Sequence, residues 1–197
     1  MDRGFSHGYH GQERGCSGQS SRLSNGAQRR VAAIALGSNL GSGLGSGRGP
    51  ESECRGREAN LREAVARLGG LGRVTAVSSY YDTAPVGYLE QPRFLNGALL
   101  LETELEPEVL LEGLLEVERT MGRDRSAAVA KGPRVIDLDL LLFGGVVMET
   151  PALTLPHPAL RERRFVLEPL REIAPEMVDP VTGRTVAQLY AELGPRE

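Results

Sequence analysis

Six segments of regular hydrophobic pattern follow one another between residues 31 and 142, and their order constrains the fold more than any other feature. Apolar residues recur every three or four positions in two of them, which predicts amphipathic helices. The other four are short apolar or β-branched runs, which predict strands. In chain order the predicted elements are a strand at 31–36, a helix at 58–71, strands at 73–82 and 94–102, a helix at 107–122 and a strand at 135–142.

This β-α-β-β-α-β order predicts an α+β fold, the ferredoxin-like βαββαβ sandwich, with a mostly antiparallel sheet and helices on one face. Residues 143–197 add a Pro-rich loop and two short predicted helices, near 165–173 and 185–193, as a C-terminal loop and helix extension. Because many unrelated functions use this fold, the element order alone does not indicate a chemistry.

Two segments lack the regular pattern. Residues 1–30 are rich in Gly, Ser, Gln and Arg, and such a composition buries too little apolar surface to offset the entropy of ordering, so a disordered tail is expected. Residues 41–57 are similar in composition and predict a flexible insertion in a surface loop. The folded domain is therefore expected to span residues 31–197, with that insertion at 41–57.

Composition narrows the class of protein. The formal net charge is −3, which gives no electrostatic reason to expect nucleic-acid binding. The chain has no apolar run of about 18 residues, so no membrane-spanning helix is expected. Cys16 and Cys54 lack the spacing of a metal or redox pair. The N-terminus also lacks the apolar middle of a secretory signal, and we expect a cytoplasmic protein.

A pair of aspartates in the last predicted strand is the strongest chemical signal. Asp137 and Asp139 are two residues apart, so in a strand both side chains project from one face. Four cationic residues precede them closely: Arg123, Arg125, Lys131 and Arg134. Two carboxylates beside guanidinium groups suit Mg²⁺ with a polyphosphate. A purely structural ion network is the alternative that this spacing leaves open.

The opposite face of that strand is predicted to be apolar and to consist of Ile136, Leu138, Leu140 and Leu142. Elsewhere, Gly37-Ser38-Asn39 follows the first strand but lacks the lysine of a phosphate-binding P-loop. We interpret it as a turn in which Asn39 caps backbone groups. Phe94 and Asn96 share one face of another strand and could together recognise a heteroaromatic substrate.

Six stretches of the chain match a known family in that family's order. They are ALGSNLG (35–41), SSYYDTAPVG (78–87), QPRFLNGAL (91–99), GRDRS (122–126), GPRVIDLDLLLFG (132–144) and LPHPALRERRFVLEPLREIAP (155–175). The chain resembles the hydroxymethyl-dihydropterin pyrophosphokinases of folate biosynthesis. The resemblance implies that the pyrophosphoryl group of ATP passes to the hydroxymethyl oxygen of the pterin, which leaves AMP.

The resemblance also implies roles for individual residues. Asp137 and Asp139 correspond to ligands of two Mg²⁺ ions and belong to the implied catalytic set, whose other members also contact ATP: Arg123, Arg134, His157 and Arg163. Arg125 and Lys131 are further implied ATP contacts. Phe94 and Phe165 correspond to two rings that sandwich the pterin, Asn96 to the amide that reads its edge, and Thr83 to Val86 to the pocket wall.

Some positions depart from the family pattern. Lys131 stands where an aromatic residue is common, and Ala152 and Pro158 replace an arginine and a tyrosine. No general base is evident, and Asp139 is the nearest candidate. A non-catalytic pterin-binding module and an Mg-dependent nucleotidyltransferase are the alternative functions. ATP and hydroxymethyl-dihydropterin are the expected partners of a monomer that could associate with other folate-pathway enzymes.

Overall fold

The computed structural model of the protein describes residues 29–41, 50–123 and 132–194. Seven strands and four helices are found in these ranges. They are β1 (Arg30–Ser38), α1 (Pro50–Leu68), β2 (Arg73–Val77), β3 (Tyr81–Thr83), β4 (Phe94–Thr103), α2 (Pro107–Thr120), β5 (Asp137–Phe143), β6 (Met148–Glu149), β7 (Thr154–Leu155), α3 (Arg164–Ile173) and α4 (Val186–Glu192). No helix among them is long and apolar enough to cross a membrane.

The main sheet has the strand order β2-β4-β1-β5, and β3 pairs with β4 beside β2. Every pairing in this sheet is antiparallel. β4 therefore lies between β1 and β2, the two strands that α1 connects, which is the split βαβ arrangement. This confirms the predicted α+β, ferredoxin-like fold.

Both faces of the sheet are covered. One hydrophobic cluster packs α1 and α2 against alternate residues of β1, including Ala32 and Ile34. A second cluster packs α3 and α4 against the other face, where Ala33 of β1 and Ala98 of β4 are fully buried. The predicted C-terminal extension thus forms a third layer, and the site described below lies on its side of the sheet.

Helix ends follow from local sequence. Pro107 begins α2, where a residue without an N–H leaves no intrahelical bond unmade. Gly122 follows the last turn with φ of +92°, a conformation that favours glycine. At α4 the Thr185 side chain accepts a hydrogen bond from the Gln188 backbone N–H, and Gln188 Oε1 accepts one from the Thr185 backbone N–H. This capping box supports a helix of only seven residues.

Three predicted details were wrong. The predicted strand at 73–82 is two strands, β2 and β3, which Ser78 to Tyr80 separate. Helix α1 begins at Pro50, so the second half of the expected 41–57 insertion is helical. Leu142 lies on the α3 face, since a register shift between β1 and β5 adds one residue to the strand after Leu140.

The other predicted domain boundaries concern the start of β1 and the two segments without a regular pattern. β1 begins one residue before the predicted boundary, at Arg30, whose side chain pairs with Glu106. The tail was expected to be disordered over residues 1–30 and the insertion to be flexible over 41–57, and of these, residues 1–28 and 42–49 stay untested. Both segments lie outside the described residues, as do Arg125 and Lys131.

Candidate active site

A cavity of about 310 Å³ opens at the end of the sheet where β5 begins. Its walls come from the ends of β1, β4 and β5, from the segment after β3 and from the residues around the start of α3. The structure brings together there all predicted site residues that it describes: Thr83, Val86, Phe94, Asn96, Arg123, Arg134, Asp137, Asp139, His157, Arg163 and Phe165.

Gly37 forms the middle of the cavity floor. In the sheet register it lies opposite Asn96 of β4 on one side and opposite Asp137 of β5 on the other. A Cβ atom at Gly37 would lie 3.3 Å from Asn96 Oδ1, 3.6 Å from Asp137 Cβ and 4.0 Å from Phe94 Cδ1. Because Gly37 has no side chain, the half of the cavity that Phe94 and Asn96 line is continuous with the half that Asp137 lines.

Gly37→Ala is expected to weaken binding of the ligand that occupies the Phe94 and Asn96 half. The added methyl group is closer to Asn96 Oδ1 than most carbon–oxygen contacts allow, so Asn96 must shift. Overpacking of this kind costs about 1–3 kcal/mol. Calorimetric titration of that ligand would measure the loss. Gly145→Ala is the matched control, because a Cβ there meets nothing within 4 Å; equal affinity in both variants would contradict the prediction.

The acidic pair lies among arginines. Arg123 donates to Asp137 Oδ1, and Arg134 Nη1 lies 2.9 Å from Asp137 Oδ2. Burial, reinforced by the charge of Asp137, raises the pKa of Asp139 from 3.8 to about 6, although Arg163, Arg123 and Arg134 oppose the rise. Keeping the Asp139 carboxylate charged therefore costs free energy, and a bound cation would lower that cost.

The pKa of Asp139 predicts a dependence of protein stability on pH. Because the folded-state pKa lies above the unfolded value, the folded protein binds more protons between pH 4 and pH 6, and stability falls as pH rises through that window. Each tenfold change in proton affinity is worth about 1.4 kcal/mol. Relative to Asp139→Asn, which cannot titrate, wild type should lose on the order of 3 kcal/mol between pH 4 and pH 7.

Urea unfolding of both proteins without metal or nucleotide, at several pH values, measures this difference. Titrating groups that do not interact with Asp139 contribute equally to the two proteins and cancel. A difference that is constant across the window would show that Asp139 titrates normally.

Glu118 is a site residue that the sequence interpretation missed. Its side chain is 1% exposed, and its Oε1 accepts hydrogen bonds from Arg123 and from the Leu138 N–H, the latter at 2.8 Å. Leu138 lies between the two aspartates on β5, which is an edge strand. Glu118 therefore positions both the strand that carries the acidic pair and the arginine beside it. A sequence signal existed: Glu118 falls on the apolar face of α2, with Leu110, Leu114 and Val117.

His157 and Arg163 close the cavity from the C-terminal side. The backbone N–H of His157 donates to Leu141 O of β5, the strand that carries the two aspartates. Burial, with Arg163 adding to the effect, lowers the pKa of His157, so the imidazole is neutral at pH 7. Its Nδ1 accepts the Ala159 N–H, which places the hydrogen on Nε2 as a donor. Among the described residues, no carboxylate lies within ion-pair distance of Arg163.

The other half of the cavity is lined by two aromatic rings and an amide. Arg134 Cζ lies 5.3 Å from the centre of the Phe94 ring, and Arg163 Cζ lies 5.7 Å from that of Phe165. Asn96 Nδ2 donates to Thr83 Oγ1 at 2.7 Å, which fixes the amide and leaves its oxygen toward Gly37. Val86, 66% exposed, stands at the rim.

Fold and cavity together define a class of protein. Arginines and paired carboxylates at one end suit a polyanion with a hard cation, while two phenylalanines and a fixed amide at the other suit a small planar molecule. This combination is typical of a transferase that moves a phosphoryl-type group onto a planar acceptor.

Residues 33–175 match the profile of the family described as 7,8-dihydro-6-hydroxymethylpterin-pyrophosphokinase (HPPK). The chain is 43% identical to the 2-amino-4-hydroxy-6-hydroxymethyldihydropteridine pyrophosphokinase of Bacillus subtilis, over 80% of this chain and 86% of that protein. It is 40% identical to the Synechocystis protein of the same name, over 82% and 75%. The chain belongs to the HPPK family, and it is an ATP-dependent pyrophosphokinase of folate biosynthesis.

Other similar proteins are much longer. The Folic acid synthesis protein fol1 of Schizosaccharomyces pombe is 42% identical over 61% of this chain but only 16% of its own length. A crystal structure of Plasmodium falciparum HPPK-DHPS superposes with a TM-score of 0.63 over 86% of this chain and 46% of that one. At 16% identity, this second likeness supports the fold alone.

Proposed function

We propose that this chain transfers the pyrophosphoryl group of ATP to the hydroxymethyl group of 6-hydroxymethyl-7,8-dihydropterin, with the cavity residues in the roles that follow. One observation carries the proposal. Gly37 joins a half-cavity lined by Phe94 and Asn96 to one lined by Asp137 and arginines, across adjacent strands of one sheet. A planar acceptor and a polyphosphate bound in the two halves would meet above Gly37.

The cationic half would bind the triphosphate. Arg123 and Arg134 already face a carboxylate, and Arg163 faces the cavity with no carboxylate partner among the described residues. The Nε2–H of neutral His157 adds a hydrogen-bond donor without a charge. Phosphoryl transfer is catalysed mainly by positioning and by electrostatic stabilisation of charge on phosphate oxygens, which such a set of donors supplies. Arg125 and Lys131 remain predicted ATP contacts outside the described residues.

Asp137 and Asp139 would hold the magnesium that accompanies ATP. Among the described residues, no three His, Cys, Asp or Glu side chains are placed so that together they could hold a metal ion. Two carboxylates nevertheless fit Mg²⁺, which takes one or two protein carboxylates and completes its shell with phosphates and water. The raised pKa of Asp139 supports the same assignment. A bound Mg²⁺ would neutralise charge on the phosphates, and two ions is the number we propose.

The other half would hold the pterin. Phe94 and Phe165 both line this part of the cavity and could stack on the two faces of a flat bicycle. Asn96 Oδ1 would accept hydrogen bonds from the ring edge, because the bond from Nδ2 to Thr83 Oγ1 leaves that oxygen toward Gly37. Thr83 and Val86 would form the wall and the rim of this subsite.

In the proposed reaction the hydroxymethyl oxygen attacks the β-phosphorus of ATP. The bond between that phosphorus and the oxygen bridging to the α-phosphorus breaks, and AMP leaves with the bridging oxygen. The hydroxyl proton must depart as the new bond forms. His157 cannot take it at Nε2, which already carries a hydrogen. Asp139 is the nearest candidate base.

Identification of the nucleotide product tests the proposal. Purified protein is incubated with ATP, Mg²⁺ and hydroxymethyl-dihydropterin, with omission of the pterin as control. Pterin-dependent AMP is the expected result. Release of inorganic pyrophosphate would instead indicate a nucleotidyltransferase, and pterin binding without turnover would indicate a non-catalytic module. Either outcome would refute the proposed function.

The expected cellular context stays a prediction. Cell fractionation tests the cytoplasmic location, and size-exclusion chromatography with light scattering tests the monomer. The name of the Plasmodium falciparum protein, HPPK-DHPS, joins HPPK to a second protein name. We propose that this chain can associate with a neighbouring folate-pathway enzyme, which co-purification with that enzyme would test.

A further inference from the structure

Asn39 directly follows β1 and is not among the residues that line the cavity. Its side chain is nevertheless 2% exposed and lies between two segments that each lead to a cavity residue. One segment ends at Arg134, in the cationic half. The other ends at Phe94, in the aromatic half. The hydrogen bonds of this single amide connect the two.

The first connection holds the backbone of Arg134. Asn39 Oδ1 accepts the Arg134 N–H at 2.7 Å. The backbone N–H groups of Asn39 and Leu40 both donate to Arg134 O at 3.1 Å. Asn60 Nδ2 donates to the next carbonyl, that of Val135, at 3.3 Å. The Arg134 peptide groups are thus fixed on both sides before the side chain enters the cavity.

The second connection holds the segment before Phe94. Asn39 Nδ2 donates to Pro92 O at 3.2 Å and to Gln91 Oε1 at 3.0 Å. The orientation of the amide is determined by its partners, because a backbone N–H can only donate and a carbonyl can only accept. The Asn39 side chain therefore presents its oxygen to the cationic half and its nitrogen to the aromatic half.

We propose that Asn39 is a positioning residue that sets the distance and angle between the Arg134 guanidinium and the Phe94 ring. This inference rests on the proposed function, in which these two groups contact the two substrates. The Arg134 Cζ lies 5.3 Å from the ring centre in this arrangement. A displacement of about 1 Å between reacting partners can cost about 10²-fold in rate, whereas each substrate would still meet an intact half-site.

Asn39→Asp tests the proposal with an isosteric change. One carboxylate oxygen can still accept the Arg134 N–H, but the other faces the Pro92 carbonyl, which cannot donate. We expect kcat to fall by about 10²-fold. The affinities for the pterin alone and for an ATP analogue with a methylene group between the α- and β-phosphorus should change little. A lower kcat with unchanged affinities distinguishes positioning from a structural role, because a structural role would leave the kcat of folded molecules unchanged.

Thr103→Val is the matched control. Thr103 is also buried, donates to Leu71 O and accepts the Leu105 N–H, but it lies at the far end of β4 from Phe94. We expect this variant to unfold at a lower temperature and to keep the wild-type kcat. Wild-type kcat in folded Asn39→Asp, or an equal loss in Thr103→Val, would overturn the proposal.

Gln91→Ala provides a second variant in case Asn39→Asp does not fold. It removes one acceptor of Asn39 Nδ2 and leaves the Pro92 carbonyl. We expect a smaller loss of kcat with the same unchanged affinities, and an unchanged kcat would overturn the proposal. The wild-type assay separates this result from failure of the proposed function, because that failure would appear as no pterin-dependent AMP in wild type.

Discussion

Replacing Asp137 or Asp139 by alanine is expected to abolish turnover in a protein that still folds. Each change removes one of the two carboxylates that would hold magnesium beside the phosphates. Metal stabilisation of developing charge is worth several kcal/mol, and about 4 kcal/mol corresponds to about 10³-fold in rate. The measurement is pterin-dependent AMP formation at saturating ATP and Mg²⁺.

The two variants should differ in stability although both are inactive. Asp139 carries a charge that burial and Asp137 disfavour, so Asp139→Ala should be as stable as wild type or more stable at pH 7. Asp137 pairs with both Arg123 and Arg134, so Asp137→Ala should be less stable. Urea unfolding separates these effects. Substantial activity in either folded variant would refute the metal assignment.

The acidic strand shows what its sequence could predict. Alternation alone placed Asp137 and Asp139 on one face, and the structure puts both in the cavity. The same alternation placed Leu142 wrongly, because an extra residue after Leu140 reverses the pattern. A register shift depends on pairing with β1, about a hundred residues earlier in the chain, and leaves no local signal.

Long-range hydrogen bonds were the hardest features to predict. The role of Asn39 as a cap for backbone groups was predicted, but its partners at Pro92 and Arg134 are far away in sequence. Glu118 follows Glu108, Glu112 and Glu116 in α2, which are exposed, and a count of acidic residues does not distinguish it from them. The position of Glu118 on the apolar face could be read from the sequence, but its contact with Arg123 could be found only in the structure.

Among the cavity arginines, Arg123 is expected to have the largest effect when it is replaced, because it also pairs with buried Glu118. Arg123→Ala removes a cation proposed to contact the triphosphate, and cations that stabilise phosphoryl transfer are worth about 10³-fold or more in kcat. It also removes a charge partner of Glu118, which is 1% exposed. Removing one member of a buried pair costs about 3–5 kcal/mol. We therefore expect both turnover and the free energy of unfolding to fall.

Two further variants separate these effects of Arg123→Ala. Arg163→Ala should reduce turnover with a smaller change in unfolding free energy than Arg123→Ala, because no described carboxylate lies within ion-pair distance of Arg163. Adding Glu118→Gln to Arg123→Ala should restore much of the stability but not the activity. The glutamine oxygen can still accept the Leu138 N–H, and no buried charge remains at position 118. If the double variant is no more stable than Arg123→Ala, the Glu118 charge does not depend on Arg123.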